Sequence, residues 1–400
     1  MISVDEARAR ILKSLKSLPA EIVPIEQAWG RVLARPVFAD RTHPQHDVSA
    51  MDGYAVRSED VTDLPATLTV TQEIAAGGMP EKPLCEGEAA RIFTGAPLPE
   101  GADTIVLQED TKRLSTGKMQ VLEMEAQRHV RARGLDFKRG ALCVERGSAL
   151  SSAHIGLMAA ANVPSVYVHQ RPVVAFLSTG SELVPHGTVP GPGQIVSSNG
   201  VMLSALAAAA GAIPLDLGAA PDDLDAIRAQ AAGFERAHIA VTIGGASVGD
   251  HDLIQPALEP QGLEVDFWKV AMRPGNPLVY GAISQTPFLG LPGNPVSAFV
   301  CALLYLRPMI AKLSGQDVES DLKPDGERTL SDALPKNGPR MTFVRAATAT
   351  DDARSVTPLN IQDSSVLSAV AMADCLIIRP PHAPAAEAGT CVSILSLKGA

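Results

Sequence analysis

Three short segments have the residue types of anion-binding loops: Ser178-Thr179-Gly180-Ser181-Glu182, Gly244-Gly245-Ala246-Ser247-Val248-Gly249-Asp250 and Leu291-Pro292-Gly293-Asn294-Pro295. Small side chains let a ligand approach the backbone, and peptide N–H groups there can point at phosphate oxygens. One such loop reads more readily as an ordinary turn, but three that each follow an apolar strand-like run argue for a phosphate-bearing ligand. Neither GxGxxG nor GxxxxGK[ST] is present, so this is no dinucleotide fingerprint or P-loop. Carboxylates stand beside the loops: Glu182, Asp222, Asp223, Asp250 and Asp252. Asp222 and Asp223 also have the look of a helix cap, since they follow Pro221 and precede an apolar run. Like charges about 4 Å apart repel by roughly 4 kcal/mol at an effective dielectric of 20, so acids facing an anionic ligand call for a hard cation such as Mg²⁺ between them.

Cations follow at once. Strand alternation through Phe267-Trp268-Lys269-Val270-Ala271-Met272-Arg273 puts Lys269 and Arg273 on one face, either a solvated surface or the wall of an anion pocket. The tetrapeptide Pro-Gly-Asn-Pro occurs twice, at Pro274–Pro277 and Pro292–Pro295; both read as tight turns, and the second precedes a long apolar helix whose first N–H groups could receive an anion. Other chemistry finds little support. His43 and His46 flank Pro44 without a third ligand of zinc spacing, and no GxSxG occurs. The five cysteines are scattered, as free thiols that mostly fill core are. Ser49-Ala50-Met51-Asp52-Gly53-Tyr54-Ala55-Val56 reads from composition as core strand around an Asp-Gly hairpin turn.

The elements that must position these groups follow from periodicity. Val4, Ala7, Ile11, Leu15 and Leu18 share one face of an N-terminal helix capped by Ser3 and stopped by Pro19, and a second short helix is expected from about Ile25 to Arg35. Short β runs separated by glycine and proline fill 41–140, and helix returns at 151–163. From 171 to 317 strands alternate with helices, which implies βαβ units, a parallel doubly wound sheet, and a ligand outside the carboxyl ends of its strands. The remainder, 318–400, reads as a small β domain. The expected division is therefore a helical linker region (1–40 and 141–170), a β-rich insertion domain (41–140), an α/β domain (171–317) and a C-terminal β domain (318–400).

Of 400 residues, 34 are Lys or Arg and 44 Asp or Glu, a net charge of −10 that disfavours nucleic acid or an anionic membrane as partner. Screening over about 8 Å still lets a few clustered cations govern their own cleft. Asp5, Glu6, Arg8 and Arg10 interrupt the N-terminus where a signal peptide needs an apolar run, and no stretch approaches the roughly 18 apolar residues of a membrane span; a cytoplasmic location is expected.

Taken in order and spacing, SAMDGYAV, RIFTGAPLPEGADTIV, TGSELV, GGASVGDHD, FWKVAMRPGNP and GLPGNPVSAF resemble the MoeA family of molybdopterin molybdenumtransferases, whose eukaryotic relatives include the C-terminal region of gephyrin. The resemblance runs over essentially the whole chain. It implies an elongated homodimer of four-part subunits and a transferase that inserts molybdate into adenylylated molybdopterin with Mg²⁺-dependent release of AMP, working beside other molybdenum cofactor biosynthesis proteins. By the same resemblance Asp52, Thr94, Asp136, Glu182, Asp222, Asp252 and Lys269 are catalytic, with Asp222 and Asp252 holding Mg²⁺. Thr179, Gly180, Ser181, Gly244, Gly245, Ser247 and the Pro292-Gly293-Asn294-Pro295 turn would bind substrate, and Arg273, Asn276, Pro277, Arg345 and Ser364 would surround molybdate. Relatives commonly have lysines at the positions of Arg273 and Asn276; arginine still clamps an oxyanion, with a different geometry.

Overall fold

The computed structural model describes residues 1–398 except 115–116, 125–128, 246–252 and 349–353. The chain divides into two compact units: Met1–Glu21, Gly30–Ala34 and Tyr167–Ala400 form the first, and Ile22–Trp29 with Arg35–Val166 form the second.

The first unit is built on a six-stranded sheet in the order Ile213–Ala220, Val173–Thr179, Ile239–Ile243, Thr286–Leu291, Val279–Ile283, Leu263–Trp268. The first four strands are parallel. The sequence reading of an all-parallel sheet needs one correction: Val279–Ile283 runs antiparallel to both of its neighbours. It forms a hairpin with Thr286–Leu291 across Ser284-Gln285, where Ser284 takes a φ of 56°. Side-chain alternation explains why both faces are covered. Val174 and Phe176 join the core packed by Leu203, Leu206 and the Pro295–Leu313 helix, whereas Ala175 and Leu177 join the core packed by Ile227, Ala231 and Ile254. That long helix includes a π segment, Ala302–Leu306, and the buried Arg8 guanidinium donates to the Leu304 carbonyl within it. Pro295–Leu313 has the length and hydropathy of a membrane span, contrary to the sequence expectation, but 83% of its apolar window is buried inside the protein, as in a core helix.

A second sheet of this unit orders Met272–Arg273, Met341–Thr348, Ser355–Pro358, Gly326–Leu330, Cys391–Ser396 and Cys375–Arg379, and an added pairing of Met341–Thr348 with Cys375–Arg379 closes it on itself. The pair Met272–Arg273 joins this sheet in parallel, with Arg273 opposite Thr342, and Thr342 in turn faces Arg379. The segment expected as one continuous strand is broken between Trp268 and Met272, because Lys269 adopts a φ of 76°. Period-two alternation therefore does not carry from Lys269 to Arg273.

The second unit holds a six-stranded sheet ordered Thr104–Leu107, Gly53–Val56, Glu88–Ile92, Ala66–Ile74, Lys118–Val121, Thr111–Arg113. Gly53 opens a strand rather than sitting in a hairpin turn, and a Cβ there would run into the Val106 carbonyl. The helix expected from Ile25 to Arg35 is only a 3₁₀ turn, Ile25–Gln27, because Gly30 at φ 71° ends it and Leu33 goes on to a β-bridge with Val168. Helix Ser152–Ala160 starts at a reciprocal cap between Ser151 and His154. All five cysteines are free thiols, but only Cys301 and Cys375 are buried, which corrects the expectation of mostly core filler.

Candidate functional site

Two adjoining cavities of the first unit gather the predicted loops. One, of about 650 Å³, is lined by Thr179, Gly180, Glu182, Asp222, Gly244, Gly245 and the Pro292–Pro295 turn. The parallel strands deliver the three loops to one edge, and close packing there demands glycine. Gly244 has a φ of 97°, and a Cβ on it would stand 2.7 Å from the Thr179 carbonyl oxygen. Ser181 and Asp222 bind reciprocally: the Ser181 N–H donates to Asp222 Oδ2 at 3.0 Å, and the Asp222 N–H donates to Ser181 Oγ at 2.9 Å. Of the two candidate caps, Asp223 does the capping, accepting from the N–H groups of Asp225 and Ala226 at 3.1 and 2.9 Å. Asp222 is left for the cavity. The Glu182 carboxylate folds back over Gly180, whose missing Cβ makes room for it.

The second cavity, of about 630 Å³, includes Arg273, Asn276, Pro277, Arg345 and Ser364 in its lining, and Pro277, Pro292 and Asn294 line both cavities. The Asn294 amide donates to Ser364 Oγ at 3.0 Å, and the Val296 N–H donates to the Ser364 carbonyl at 3.1 Å, so the start of the long helix is tied to the C-terminal sheet. Arg345 is 1% exposed, and its Nη2 donates to the carbonyls of Ile361 and Asp363 at 3.3 and 3.2 Å. Burial pushes its pKa down, and the charge of Asp363 pushes it back up. The Asp363 carboxyl is held below the usual range first by the Ser365 hydroxyl, then by the Ser365 N–H, with Arg345 adding to both.

Not every predicted residue converges here. Lys269 lines neither cavity; its ammonium lies 3.8 Å from the Trp268 ring centroid, an arrangement alternation could not foresee. Ser247 and Asp252 lie outside the described residues. Asp52, Thr94 and Asp136 belong to the second unit. There Asp52 Oδ1 accepts from both the N–H and the hydroxyl of Thr94, at 2.8 Å each. The N–H bond first, then the hydroxyl, depress the Asp52 pKa, with a smaller contribution from Arg91. Asp136 is exposed and donates its N–H to the His43 carbonyl at 3.1 Å.

Sequence reasoning missed several lining residues. Asn199, whose amide donates to the Gly293 carbonyl at 2.7 Å, lines the first cavity, and Lys336, Asn337, Arg340 and Arg379 line the second. The available signal was the run Pro335-Lys336-Asn337-Gly338-Pro339-Arg340, a cationic turn between two apolar segments.

A loop-rimmed α/β sheet joined to a closed β sheet, with a cationic cavity at their seam, defines a protein that handles anionic small molecules. Three family models match in register along the chain: the MoeA N-terminal region (domain I and II) at residues 2–162, a probable molybdopterin binding domain at 175–312, and the MoeA C-terminal region (domain IV) at 327–397. A molybdopterin molybdenumtransferase of Nostoc sp. is 38% identical over 333 residues, which is 81% of this chain and 76% of that protein. Another, from Haemophilus influenzae, is 32% identical over 98% of both. The crystal structure of the molybdopterin biosynthesis moeA protein of Pyrococcus horikoshii superposes with a TM-score of 0.84 at 25% identity, covering 98% of this chain and 99% of that one. The chain belongs to the MoeA family of molybdopterin molybdenumtransferases.

Proposed function

We propose that this transferase of molybdenum cofactor biosynthesis inserts molybdate into adenylylated molybdopterin with Mg²⁺-dependent release of AMP. The observation that carries the reading is the pair of cavities sharing Pro277, Pro292 and Asn294: one rimmed by anion-competent loops and carboxylates, the other lined by cations. The backbone at Thr179, Gly180, Gly244 and Gly245, with Ser247, binds the phosphoanhydride in the first. Arg273, Arg345 and Ser364, with Asn276 and Pro277 in the same turn, orient the oxyanion in the second.

Among the described residues no group of three acids, histidines or cysteines is close enough to cage a metal. Mg²⁺ ordinarily takes one or two carboxylates together with phosphate oxygens and water, and Asp222 fits that role because the Ser181 N–H engages only its Oδ2. Asp252 is the second carboxylate of the proposal, and Glu182 lines the same cavity as Asp222. When bound, Mg²⁺ would offset phosphoanhydride charge. Lys269 supplies the same service only by leaving the Trp268 ring. Asp52, kept ionised by Thr94, acts with Asp136 as a further catalytic group, and the working form is a cytoplasmic homodimer supplied by other cofactor-biosynthesis proteins.

The test is AMP release from adenylylated molybdopterin with Mg²⁺ and molybdate. Asp222→Asn should suppress it by at least the roughly 10–100-fold that losing even an outer-sphere metal partner costs. Unchanged release at saturating Mg²⁺ would overturn the assignment.

A further inference from the structure

The cationic cavity holds more positive charge than one oxyanion requires. Among the described residues its walls carry Arg273, Lys336, Arg340, Arg345 and Arg379 against one carboxylate, Asp363, which Ser365 already engages through its N–H and hydroxyl. Among the described residues none of the five cations makes an ion pair. Two of them are buried on separate walls. Arg345, 1% exposed, has the Ile361 and Asp363 carbonyls, and Arg379, 7% exposed, has those of Pro335 and Pro384. Neutral carbonyls do not balance a buried guanidinium; Arg345 also has the charge of Asp363 nearby, whereas Arg379 has no carboxylate beside it among the described residues.

Strand register spaces Arg379 from Arg273. Arg273 and Arg379 both pair with Thr342, from opposite sides, and strands about 4.8 Å apart set their Cα atoms roughly 10 Å from each other. The volume, about 630 Å³, lies within the roughly 300–1,000 Å³ of pockets that enclose whole small molecules rather than lone ions. A clamp fixes the second wall: the Asn337 amide donates to the carbonyls of Arg340, Arg379 and Pro380 at 3.0, 2.9 and 2.7 Å, while its Oδ1 accepts from Thr342 Oγ1 at 2.9 Å.

We propose that Lys336, Arg340 and Arg379 form a second oxyanion subsite, separate from the one around Arg273, Arg345 and Ser364, with Asn337 as its positioning residue. Its ligand is a tetrahedral dianion, either a free oxyanion or a phosphate group of the substrate. The inference rests on the proposed function for its place in the reaction, but its test stands apart.

Neither the Lys336 nor the Arg340 side chain makes a hydrogen bond or ion pair among the described residues, so the double variant Lys336→Gln/Arg340→Gln should fold; its melting temperature checks this. Wild type and variant are titrated calorimetrically with sodium molybdate and, separately, with inorganic phosphate at constant ionic strength. Losing two charged contacts should weaken one of the probes roughly 100-fold or more. Loss of phosphate binding alone identifies a substrate phosphate as the ligand, and a fall from two bound molybdates to one identifies a free oxyanion. Less than a twofold change for both probes overturns the proposal. Asn337→Ala leaves every charge in place and should weaken the same probe with an unaltered salt dependence; a lowered melting temperature with unaltered binding overturns the clamp. If instead Arg345→Gln keeps full molybdate binding and AMP release, the proposed function fails, while the subsite is judged only on the Lys336/Arg340 titrations.

Discussion

Gly275 lies beneath the Arg273–Pro277 turn, at a φ of 98°, and a Cβ added there would press on Cys301 Sγ and stand 3.0 Å from Met272 Cε. Gly275→Ala therefore incurs two separate penalties. A non-glycine residue held at positive φ costs about 1–3 kcal/mol, and forcing a methyl into a packed core costs about another 1–3 kcal/mol. Cys301 is buried and donates its thiol to the Gly275 carbonyl at 3.5 Å, so removing its sulfur frees the space the methyl needs. In a double-mutant cycle, Gly275→Ala with Cys301→Ala should recover the packing part, about 1–3 kcal/mol, and leave the backbone part. Because Arg273 and Asn276 belong to the same turn, molybdate affinity should fall in Gly275→Ala and partly return in the double variant. The assays are urea unfolding of the cooperative unit that holds the α/β sheet and calorimetric titration with molybdate. A coupling energy under about 0.5 kcal/mol, the ordinary scatter of independent sites, would refute the contact and the positioning argument built on it.

Two further outcomes follow from titrating groups. Thr94→Ala removes the hydroxyl bond to Asp52 but keeps the stronger N–H one, so the Asp52 pKa should rise while remaining below its ordinary value; carboxyl NMR titration checks this, and an unmoved pKa would dismiss the hydroxyl. His238 Nδ1 accepts from the Val173 N–H at 3.0 Å, and burial lowers its pKa below the usual 6.5. The unfolded chain then binds the proton first, so the stability His238 contributes is complete above that value and is lost as pH falls through it to the folded pKa. His238→Asn, which keeps an acceptor without a titrating ring, should flatten the fall in melting temperature between pH 7.5 and pH 5.5; an equally steep fall would show that other groups cause it.

What was legible in the sequence depended on how local the determining physics is. The three loops could be read because strand–helix alternation places every βα turn at the same sheet edge, whichever strands pair. Asp222 and Asp223 could not be told apart, since both follow Pro221 and either could cap; the choice was made by Ser181, 41 residues earlier. The Val279–Ile283 strand escaped notice because its Ser284-Gln285 turn lacks the Asn-Gly or Asp-Gly chemistry that marks a hairpin. Lys269 misled for the same kind of reason. Alternation assumes extended backbone, and only the paths of Val270, which donates its N–H to the Asn276 carbonyl, and Ala271, which donates to that of Ile2, make the left-handed bend necessary.

The cationic wall was the least legible feature, and the cause is topological. Lys336 and Arg340 sit in a proline- and glycine-rich turn, and Arg379 ends an apolar strand; alone, each looks like a solvated charge. They acquire meaning only because Met341–Thr348 pairs on one side with Cys375–Arg379 and on the other with Met272–Arg273, a stretch that precedes it by about 70 residues. Those two pairings bring all three cations to the strand beside Arg273: Arg379 by the closure, Lys336 and Arg340 by lying just before Met341. The same pairing explains how a chain of net charge −10 can collect anions: among the described residues, five cations share one cavity with one, already engaged carboxylate. At physiological salt that local field outweighs the distant acidic surface, because charges more than about 8 Å away are largely screened. Breaking the sheet closure should therefore abolish anion capture even with every cation retained.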